Sequence, residues 1–333
     1  MKIIFLCDNA AKFAAVYDEG VLARLRKLTA LDETCYTKAD VLHEPGRFAD
    51  AEIIFSTWGM PSFTEGEIER FLPSLKCVFY AAGSVQSFAR PFLSRGVRVF
   101  SAWAANAVPV AEYTVAQIIL AGKDFYCQTR LTSAYRRADA AARRGAHNGN
   151  YHKRVGLIGC GMIGSMVAQM LKAYDLEVLV YDPFLSNERA EQLSVRKTSL
   201  EELFSTCSVV SNHLANNAAT RGMLGYRLFA SLPPYATFIN TGRGAQVVED
   251  DLVKVLSERP DLTAVLDVTD PEPPIAGHPF YTLENCFLTP HVAGSLGGEV
   301  VRMSEYMVEE YRAFATGQPC RYEVTEPMLQ TMA

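Results

Sequence analysis

Short apolar runs alternate with amphipathic stretches along the second half of the chain, from Arg154 onward. These runs are RVGLI, LEVLVYD, SVVSNHL, ATFIN, TAVLDV and NCFLTP. They are apolar throughout instead of alternating, which is typical of strands buried on both faces of a parallel sheet. Between the first two runs, residues 162–173 predict a helix whose apolar face consists of Ile163, Val167, Met170 and Leu171. The pattern therefore predicts βαβ units and an α/β domain.

The first hundred residues show the same alternation in a second series, KIIFLCD, AEIIFST, LKCVFYAAG and GVRVFSA. Helix-like segments separate these runs, so we predict a second, smaller doubly wound domain. Residues 112–142 predict one long helical stretch that joins the two domains, and RRGAHNGN ends it. After TPHVAG, a last helix is predicted over residues 297–316 and would return to pack on the first domain.

Length and charge narrow the class of ligand. The chain has 333 residues, 49% of them hydrophobic, which suits two domains with a core each. Its formal net charge is −5, and it has no basic stripe or tail. Nucleic acids and anionic membranes are therefore not expected as main partners, and the expected ligand is a small molecule.

The cysteines and the N-terminal run indicate the compartment. The eight cysteines are scattered without a C-x-x-C pair, which predicts buried thiols in a reducing compartment and neither a disulfide framework nor a metal site. The apolar run in MKIIFLCDNA is too short for a signal peptide. The least charged window, residues 99–122, contains Pro109 and Glu112, which a membrane-spanning helix tolerates poorly. We predict a cytoplasmic protein without a membrane segment.

A glycine cluster in VGLIGCGMIG follows the first strand of the second half. Gly159, Gly161 and Gly164 fit the pattern G-x-G-x-x-G, with Met162 and Ile163 inside it. In this pattern the first glycine allows a tight turn, the second lets a pyrophosphate approach the backbone, and the third lets helix and strand pack closely. The N-terminus of the following helix then faces the phosphates. A glycine-rich turn without a ligand is the alternative.

An acidic residue after the second strand favours a dinucleotide over that alternative. Asp182 follows LEVLVY, about 20 residues beyond the glycines, where a carboxylate accepts a hydrogen bond from the ribose 2′-OH. As an alternative, it is a turn residue before Pro183. The first basic residue after it is Arg189, so a 2′-phosphate would meet a negative charge. We therefore predict NAD in preference to NADP.

Three segments near the C-terminus each follow an apolar strand and carry a polar candidate: INTGRG with Arg243, LDVTDPEPP with Glu272 and LTPHVAGS with His291. Ligands of open α/β sheets bind at the carboxyl ends of the strands, so we expect the three side chains at one edge. Each has an ordinary alternative: a surface arginine, a turn carboxylate between prolines and a hydrogen-bonded strand-end histidine.

Hydride transfer to a keto acid would use all three groups. A guanidinium fork can hold the substrate carboxylate and polarise its carbonyl, which is the role predicted for Arg243. The alkoxide that develops needs a proton, and a histidine supplies it when a neighbouring carboxylate favours its charged form. Glu272 beside His291 would do this.

Together these segments resemble the D-isomer-specific 2-hydroxyacid dehydrogenase family. The matching stretches, in the family's order, are NAVPVAE, VGLIGCGMIGSMVA, VYDPF, VVSNHL with TRGML, FINTGRGAQVVEDDLVKVL, LDVTDPEP, HPF and LTPHVAGS. The resemblance implies an NAD-dependent oxidoreductase of D-2-hydroxy acids or 2-keto acids, with Arg243 binding substrate, His291 as acid/base and Glu272 as its partner. Residues implied beside the cofactor are Asn106, Met162, Ile163, His213, Thr220, Thr241 and, near the nicotinamide carboxamide, Asp267. The backbone of Gly83, Ser84 and Val85 would hold the substrate carboxylate.

The resemblance also implies an architecture. A Rossmann NAD-binding domain, residues 102–293, would be inserted into a smaller flavodoxin-like substrate domain made of residues 1–101 and 294–333. Both would be doubly wound parallel-sheet α/β domains. Dimers through the arm of residues 112–142 are usual in this family, so a homodimer is expected.

Two departures leave the substrate open. AAGSVQSF lacks the second glycine and the aspartate common in the family, and NHLANNAAT lacks its usual Pro-Leu pair. Trp58, with Met60 and Phe63, is predicted to form an apolar wall that favours a substrate with a side chain, and packing inside the protein is the alternative. A non-enzymatic NAD-sensing regulatory protein on the same fold is the alternative function.

Overall fold

The computed structural model describes residues 1–146 and 149–330. The chain divides into two compact units, residues 1–107 with 295–333 and residues 108–294. The first division therefore lies six residues further along the chain than the boundary expected at residues 101 and 102. The reason is that the division falls inside the helix Trp103–Gly122, which begins two residues after the strand Arg98–Ser101 and runs on without interruption.

The strands of the described residues are short. They are β1 (Lys2–Leu6), β2 (Cys35–Tyr36), β3 (Ala51–Ser56), β4 (Cys77–Tyr80), β5 (Arg98–Ser101), β6 (Lys153–Ile158), β7 (Leu176–Tyr181), β8 (Arg196–Lys197), β9 (Val209–Asn212), β10 (Thr237–Asn240), β11 (Thr263–Leu266), β12 (Cys286–Leu288) and β13 (Glu323–Val324). All ten apolar runs noted in the sequence contain a strand. The two-residue strands β2, β8 and β13 were not predicted, because two residues are too few to show a pattern.

The helices alternate with these strands. They are α1 (Ala10–Val16), α2 (Glu19–Leu28), α3 (Lys38–His43), α4 (Pro45–Phe48), α5 (Glu65–Phe71), α6 (Ala89–Ser94), α7 (Trp103–Gly122), α8 (Phe125–Ser133), α9 (Arg137–Ala146), α10 (Met162–Leu171), α11 (Asn187–Leu193), α12 (Leu200–Thr206), α13 (Tyr226–Ala230), α14 (Glu249–Glu258) and α15 (Val301–Ala315). Single 3₁₀ turns occupy Gly244–Gln246, Pro279–Tyr281, Gly297–Val300 and Pro327–Gln330.

A row of phenylalanines crosses the sheet of the first unit. The strand order is β2-β1-β3-β4-β5-β13, parallel except for β13, which is antiparallel to β5. Phe5, Phe55, Phe79 and Phe100 are paired in register across four neighbouring strands. The Phe79 ring stacks on Phe55 at 5.2 Å and on Phe100 at 4.7 Å. Helix α15 covers this row with Tyr311, whose ring lies 5.6 Å from that of Phe55.

The sheet of the second unit is entirely parallel, in the order β8-β7-β6-β9-β10-β11-β12. The first strand of the unit, β6, lies in the middle, and the chain winds outward from it in both directions. This is the doubly wound arrangement in which ligands bind outside the carboxyl ends of the strands. The predicted fold class, two doubly wound parallel-sheet units, is therefore confirmed.

The long helix predicted over residues 112–142 is wrong. Helices α7, α8 and α9 replace it, because the backbone turns into the left-handed region at Asp124, with φ 55°, and at Tyr135, with φ 56°. Helix α7 is long and apolar enough to cross a membrane by length and composition, and 56% of its apolar window is buried inside the protein. The predicted C-terminal helix exists as α15 and packs on the first unit.

The cysteines and possible metal ligands behave as ordinary side chains. All eight cysteines are free thiols, five of them buried and three half-buried. Within residues 1–146 and 149–330, no group of three or more His, Cys, Asp and Glu side chains is arranged to bind a metal ion.

Phe79→Ala should cost about 3–5 kcal/mol of unfolding free energy, because Phe79 is fully buried and its loss opens a cavity under α15. Phe184→Ala is the matched control, since its ring is 89% exposed and its loss should change stability by about 0.5 kcal/mol or less. Thermal unfolding of the two variants measures the difference. Equal midpoints would contradict the packing of α15 on the phenylalanine row.

Candidate active site

The glycine turn after β6 is built for close approach. A Cβ on Gly159, where φ is 90°, would lie 2.8 Å from the carbonyl oxygen of His213, and a Cβ on Gly164 would lie 2.1 Å from that of Gly159. Side chains are therefore excluded at both positions by the protein itself. A Cβ on Gly161 would meet no atom within 4 Å, so Gly161 faces open space.

This open space lies at the N-terminus of α10. Gly161 is the N-cap of α10, and no side chain caps the helix. The first-turn N–H groups and the helix dipole therefore favour an anion there. The Met162 side chain is exposed and that of Ile163 half-buried, both at the same end of the helix. These features fit the pyrophosphate of a dinucleotide.

Asp182 is a turn residue, and it also bonds to the glycine turn. Its Oδ1 accepts a hydrogen bond from the Phe184 N–H at 2.7 Å, which makes it a turn residue. Its Oδ2 accepts one from the N–H of Cys160, inside the glycine turn, also at 2.7 Å. A carboxylate has about four acceptor positions, so capacity for a ribose hydroxyl remains. Asp182 thus fixes the glycine turn beside the place where a ribose would bind.

A buried amide network holds the backbone of Arg243. The Gln246 Oε1 accepts hydrogen bonds from the Arg243 N–H at 3.1 Å and from Asn212 Nδ2 at 2.6 Å. On the other side, Asn240 Nδ2 donates to the Arg243 carbonyl at 3.2 Å. Sequence analysis missed these three amides. Their signal was a polar residue at the end of an otherwise apolar strand, as at Asn212 and Asn240.

The guanidinium of Arg243 lies in a half-buried position. Its Nη1 donates to the Gly242 carbonyl at 2.7 Å, and no other described residue accepts a hydrogen bond from the guanidinium, so the rest of the fork can bind an acceptor from outside the protein. Burial lowers the pKa of Arg243 from its ordinary value, and the charge of Glu272 opposes that effect. The guanidinium stays charged at any physiological pH. A half-buried cation of this kind is a strong site for a carboxylate.

The predicted pair of Glu272 and His291 is present in the structure. His291 Nδ1 lies 2.6 Å from Glu272 Oε1, within hydrogen-bond distance. Both side chains are accessible, 45% exposed for His291 and 39% for Glu272. Since an ionised carboxylate only accepts, Nδ1 carries the proton and Nε2 is left for a reacting group. The pair can therefore exchange a proton with a bound molecule through Nε2.

Asp267 anchors the segment that carries His291. Its Oδ1 accepts from Thr289 Oγ1 at 2.6 Å and from the Val292 N–H at 2.8 Å, and its Oδ2 accepts from the Ala293 N–H at 2.9 Å. His291 itself has a left-handed backbone, with φ 54°, which most side chains avoid. The hydrogen bonds of the buried Asp267 carboxylate thus hold His291 in a backbone conformation that it would not adopt alone.

The other residues predicted beside a cofactor lie close to the same sheet edge. His213 Nε2 is 3.0 Å from Ser211 Oγ, and its Nδ1 is 3.4 Å from Thr241 Oγ1. Burial lowers the pKa of His213 to about 4, so the ring is neutral at physiological pH. The Thr220 hydroxyl donates to the Ala215 carbonyl at 2.6 Å and orders the loop after β9.

Glu249 and His278 lie behind this edge and were not predicted as site residues, although both fall in segments that carry the resemblance. Glu249 Oε1 accepts from the Asp270 N–H at 2.9 Å, and its Oε2 is 3.9 Å from His278 Nε2. Each side chain is only 12% exposed. Burial raises the pKa of Glu249 to about 7. A side-chain environment of this kind cannot be read from the sequence.

The first unit contains the remaining predicted residues. Among the described residues, none accepts a hydrogen bond from the N–H of Gly83, Ser84 or Val85. Gly83 is half-buried and Ser84 is exposed, so these two amides are available to an anion, whereas Val85 is fully buried, backbone included. Nearby in the same unit, Asn106 Oδ1 accepts from the Ser295 N–H at 3.1 Å.

Of the three residues predicted to form an apolar wall, Met60 and Phe63 do not line a surface. Met60 and Phe63 are buried in the core of the first unit, because the loop after β3 folds back over it. Trp58 packs against that core but remains half-buried.

Residues 123–293, just over half of the chain, match the family model described as D-isomer specific 2-hydroxyacid dehydrogenase, NAD binding domain. The D-3-phosphoglycerate dehydrogenase of Archaeoglobus fulgidus is 29% identical over 243 residues, 71% of this chain and 44% of that protein. The glyoxylate reductase of Aeropyrum pernix is 34% identical over 166 residues, 50% of each chain. The chain thus spans about half the length of these curated relatives.

Solved structures extend the likeness over nearly the whole chain. The TT0316 protein of Thermus thermophilus aligns with a TM-score of 0.71 and 25% identity, over 98% of this chain and 100% of that one. The apo D-mandelate dehydrogenase of Rhodotorula graminis aligns with a TM-score of 0.81 over 98% of both chains. At 18% identity, the second likeness is one of fold.

The raised pKa of Glu249 predicts a pH-dependent cost in stability. Because this pKa, about 7, exceeds the ordinary value of 4.5, the native state binds the proton more tightly than the unfolded chain. The contribution of the Glu249 proton to the free energy of unfolding is complete below about pH 4.5 and is lost as the pH rises through about 7. When the pH is raised from about 5 to about 8, the free energy of unfolding of Glu249→Gln should therefore increase by about 2 kcal/mol relative to that of the wild type.

Thermal unfolding of both proteins at the two pH values measures this gain. Glu258→Gln, the same change at an exposed position of α14, is the control and should follow the wild type. A constant difference between Glu249→Gln and wild type would contradict the burial of the charge.

Proposed function

This chain belongs to the D-isomer specific 2-hydroxyacid dehydrogenase family, and on that premise we propose that it is an enzyme transferring a hydride between NAD(H) and a 2-hydroxy or 2-keto acid, specific for the D-isomer. The observation that carries the proposal is the His291–Glu272 pair at 2.6 Å, in the same unit and at the same sheet edge as the glycine turn. A proton donor and a nucleotide-binding turn are the two parts that this reaction requires.

NAD, when bound, supplies the hydride or accepts it. We assign its binding to the turn of Gly159, Gly161 and Gly164 with Met162 and Ile163, to Asp182 for the ribose hydroxyls, and to the group Asn106, His213, Thr220, Thr241, Asp267 and His291. The open space at Gly161 and the remaining acceptor capacity of Asp182 support this assignment. Because Asp182 would repel a 2′-phosphate, NAD is expected in preference to NADP.

The substrate needs a cation and a proton. We assign the substrate carboxylate to the free part of the Arg243 fork, which would also polarise the carbonyl to be reduced. In the first unit, we assign the backbone of Gly83, Ser84 and Val85 to the substrate carboxylate, and the available N–H groups of Gly83 and Ser84 support this. Trp58 is the side chain proposed to contact the rest of the substrate.

His291 moves the proton. During reduction its Nε2–H donates to the oxygen that becomes the hydroxyl, and the ring is left neutral with Nδ1–H still bonded to Glu272. During oxidation the same nitrogen accepts the hydroxyl proton, and Glu272 stabilises the imidazolium that forms. Glu272 thereby also keeps the ring in the tautomer that presents Nε2.

Assembly and location follow the same reasoning. The exposed rings of Phe125 and Tyr135 support a homodimer through the arm of residues 112–142, because large apolar side chains favour burial. We also propose the cytoplasm as its location. A non-enzymatic NAD-sensing regulator on this fold is the second candidate, and the accessible acid/base pair favours the enzyme over it.

Arg243→Ala should abolish turnover and leave NADH affinity nearly unchanged, because the fork is assigned to the substrate and not to the nucleotide. The wild type is assayed with NADH, and with NADPH for comparison, on a panel running from glyoxylate to aromatic 2-keto acids. The expected loss in kcat/KM is at least about 100-fold, the consequence of leaving a bound carboxylate unpaired. NADH binding is followed by fluorescence titration.

Arg227→Ala, which removes an exposed arginine of the same unit, is the control and should keep wild-type turnover. Near-normal activity of Arg243→Ala would refute the substrate assignment. Absence of turnover by the wild type on every acid, with NADH still bound, would favour the regulator.

Glu272→Gln should lower kcat/KM for reduction at least about tenfold. The glutamine amide carries no charge to stabilise the proton donor, and its NH₂ group can donate to Nδ1 of His291 and select the other tautomer. Glu284→Gln, which changes an exposed carboxylate that pairs with Arg130, is the control and should match the wild type. Unchanged kcat/KM for Glu272→Gln would refute the pairing in solution.

A further inference from the structure

We propose that Glu249 is a positioning residue for the Glu272–His291 pair: by accepting the N–H of Asp270 it holds the segment that carries Glu272. The catalytic meaning of this inference rests on the proposed function. The structural part, that Glu249 holds the segment, is independent of it.

The segment between Thr269 and Ile275 has few ways to be held. It reads DPEPP over residues 270–274, and three of its five residues are prolines without an N–H. Its two N–H groups belong to Asp270 and Glu272. Among the described residues, the acceptor for the first is Glu249, at 2.9 Å, and the second has none. The Glu249 carboxylate is therefore the amide anchor of the segment.

Three further side-chain bonds support the segment. Thr269 Oγ1 donates to the Pro271 carbonyl at 2.9 Å, and Tyr281 OH donates to the Pro274 carbonyl at 3.0 Å, at the far end of the segment. The exposed Arg221 donates through Nη2 to Asp270 Oδ2 at 3.3 Å. None of these holds a backbone N–H of the segment, whereas the bond to Glu249 joins the Asp270 N–H to helix α14.

His278 lies beside the other oxygen of the Glu249 carboxylate. Its Nδ1 accepts the Phe280 N–H at 3.3 Å, so in the neutral ring the proton is on Nε2. That nitrogen lies 3.9 Å from Glu249 Oε2, beyond hydrogen-bond distance. The ring of Phe280, 4.5 Å from the imidazole, is fully buried. His278 therefore packs beside the carboxylate, and the hydrogen bond that acts on the segment is the one at Oε1.

The same contact region reaches the loop of Arg243. A Cβ on Gly244 would lie 2.0 Å from the carbonyl carbon of Thr269, so the backbones of the two loops touch directly. Glu249 begins α14, five residues after Gly244. A shift of the 270–274 segment would therefore change the surroundings of both Glu272 and Arg243.

The negative charge of Glu249 lowers the stability of the fold, a penalty that a neutral hydrogen-bond acceptor would avoid. Burial and the carboxylates of Asp270 and Asp250 raise its pKa. The titratable or charged groups that face it are Asp250 on its own helix, Asp270 on the segment, His278 before the 3₁₀ turn and Cys286 on β12, and Arg221 pairs with Asp270. A neutral hydrogen-bond acceptor would hold an N–H without this penalty, whereas a carboxylate holds it more strongly.

The decisive experiment compares Glu249→Ala with the control Glu258→Ala, which removes an exposed carboxylate from the same helix. Hydrogen–deuterium exchange of the ligand-free protein is followed in a peptide covering residues 268–276. The overlapping peptide of residues 268–274 is measured with it; because the first two residues of a peptide lose their label, this shorter peptide reports the amides of Asp270 and Glu272 alone. We expect the exchange of the Asp270 amide to be at least about tenfold faster in Glu249→Ala and unchanged in Glu258→Ala, since one hydrogen bond to a charged group is lost.

Two further readouts separate positioning from general destabilisation. In histidine-labelled protein, the Nδ1–H resonance of His291, expected from its short bond to Glu272, should broaden or disappear in Glu249→Ala. With the best keto acid of the panel, kcat should fall at least about tenfold while the NADH dissociation constant is unchanged. Glu258→Ala should match the wild type in both. Should Glu249→Ala fail to fold, Glu249→Leu, which fills the same space without an acceptor, is measured instead.

Unchanged exchange at Asp270 would overturn the proposal whatever the activity. Faster exchange with an unaltered His291 resonance and kcat would overturn the positioning role and leave Glu249 as a local anchor of the segment. If the wild type reduces no keto acid, the proposed function fails, and exchange and the His291 resonance still decide whether Glu249 holds the pair.

Discussion

The parallel register of one seven-stranded sheet is the constraint on which the candidate site depends. Ile158, Asn212, Asn240, Leu266 and Leu288 lie side by side as the last residues of β6, β9, β10, β11 and β12. The segments that follow these strands therefore emerge at one edge, although they are distant in sequence. A slip of one residue in any strand would turn its side chains to the opposite face of the sheet. The packing of these side chains therefore fixes the register, and the register fixes the positions of the segments that follow the strands.

Buried polar side chains convert this common edge into a defined geometry. Asn240 and Gln246 bind the backbone on both sides of Arg243, and Asp267 binds three donors of the segment around His291. Leaving any of these groups unpaired in a buried position would cost about 1–3 kcal/mol, so each favours a single arrangement of its loop. Asp267 was expected at a nicotinamide, and the structure adds an anchoring role to that prediction.

Glu249 differs from the amide anchors Asn240 and Gln246, because it is a largely buried carboxylate close to the carboxylates of Asp250 and Asp270. The cost of its charge to stability grows as the pH rises through about 7, and its benefit is a stronger bond to the one amide that can hold the DPEPP segment. Glu249 therefore reduces the stability of the fold while it holds the segment that carries Glu272. Such a loss of stability is common where a group is placed for chemistry and not for folding.

The apolar runs predicted ten of the thirteen described strands, since an uninterrupted apolar run is typical of a strand buried on both faces, and the glycine spacing with Asp182 predicted a nucleotide-binding turn. The position of Arg243, Glu272 and His291 after apolar strands also predicted them as candidate site residues. Tertiary structure decided the rest: left-handed residues broke the arm into three helices, core packing took Met60 and Phe63 from the proposed wall, and burial gave Glu249 its altered pKa. The physical reason is that periodicity and motif spacing are properties of neighbours in the chain, whereas burial, charge environment and hydrogen-bond partners depend on residues brought together only by folding.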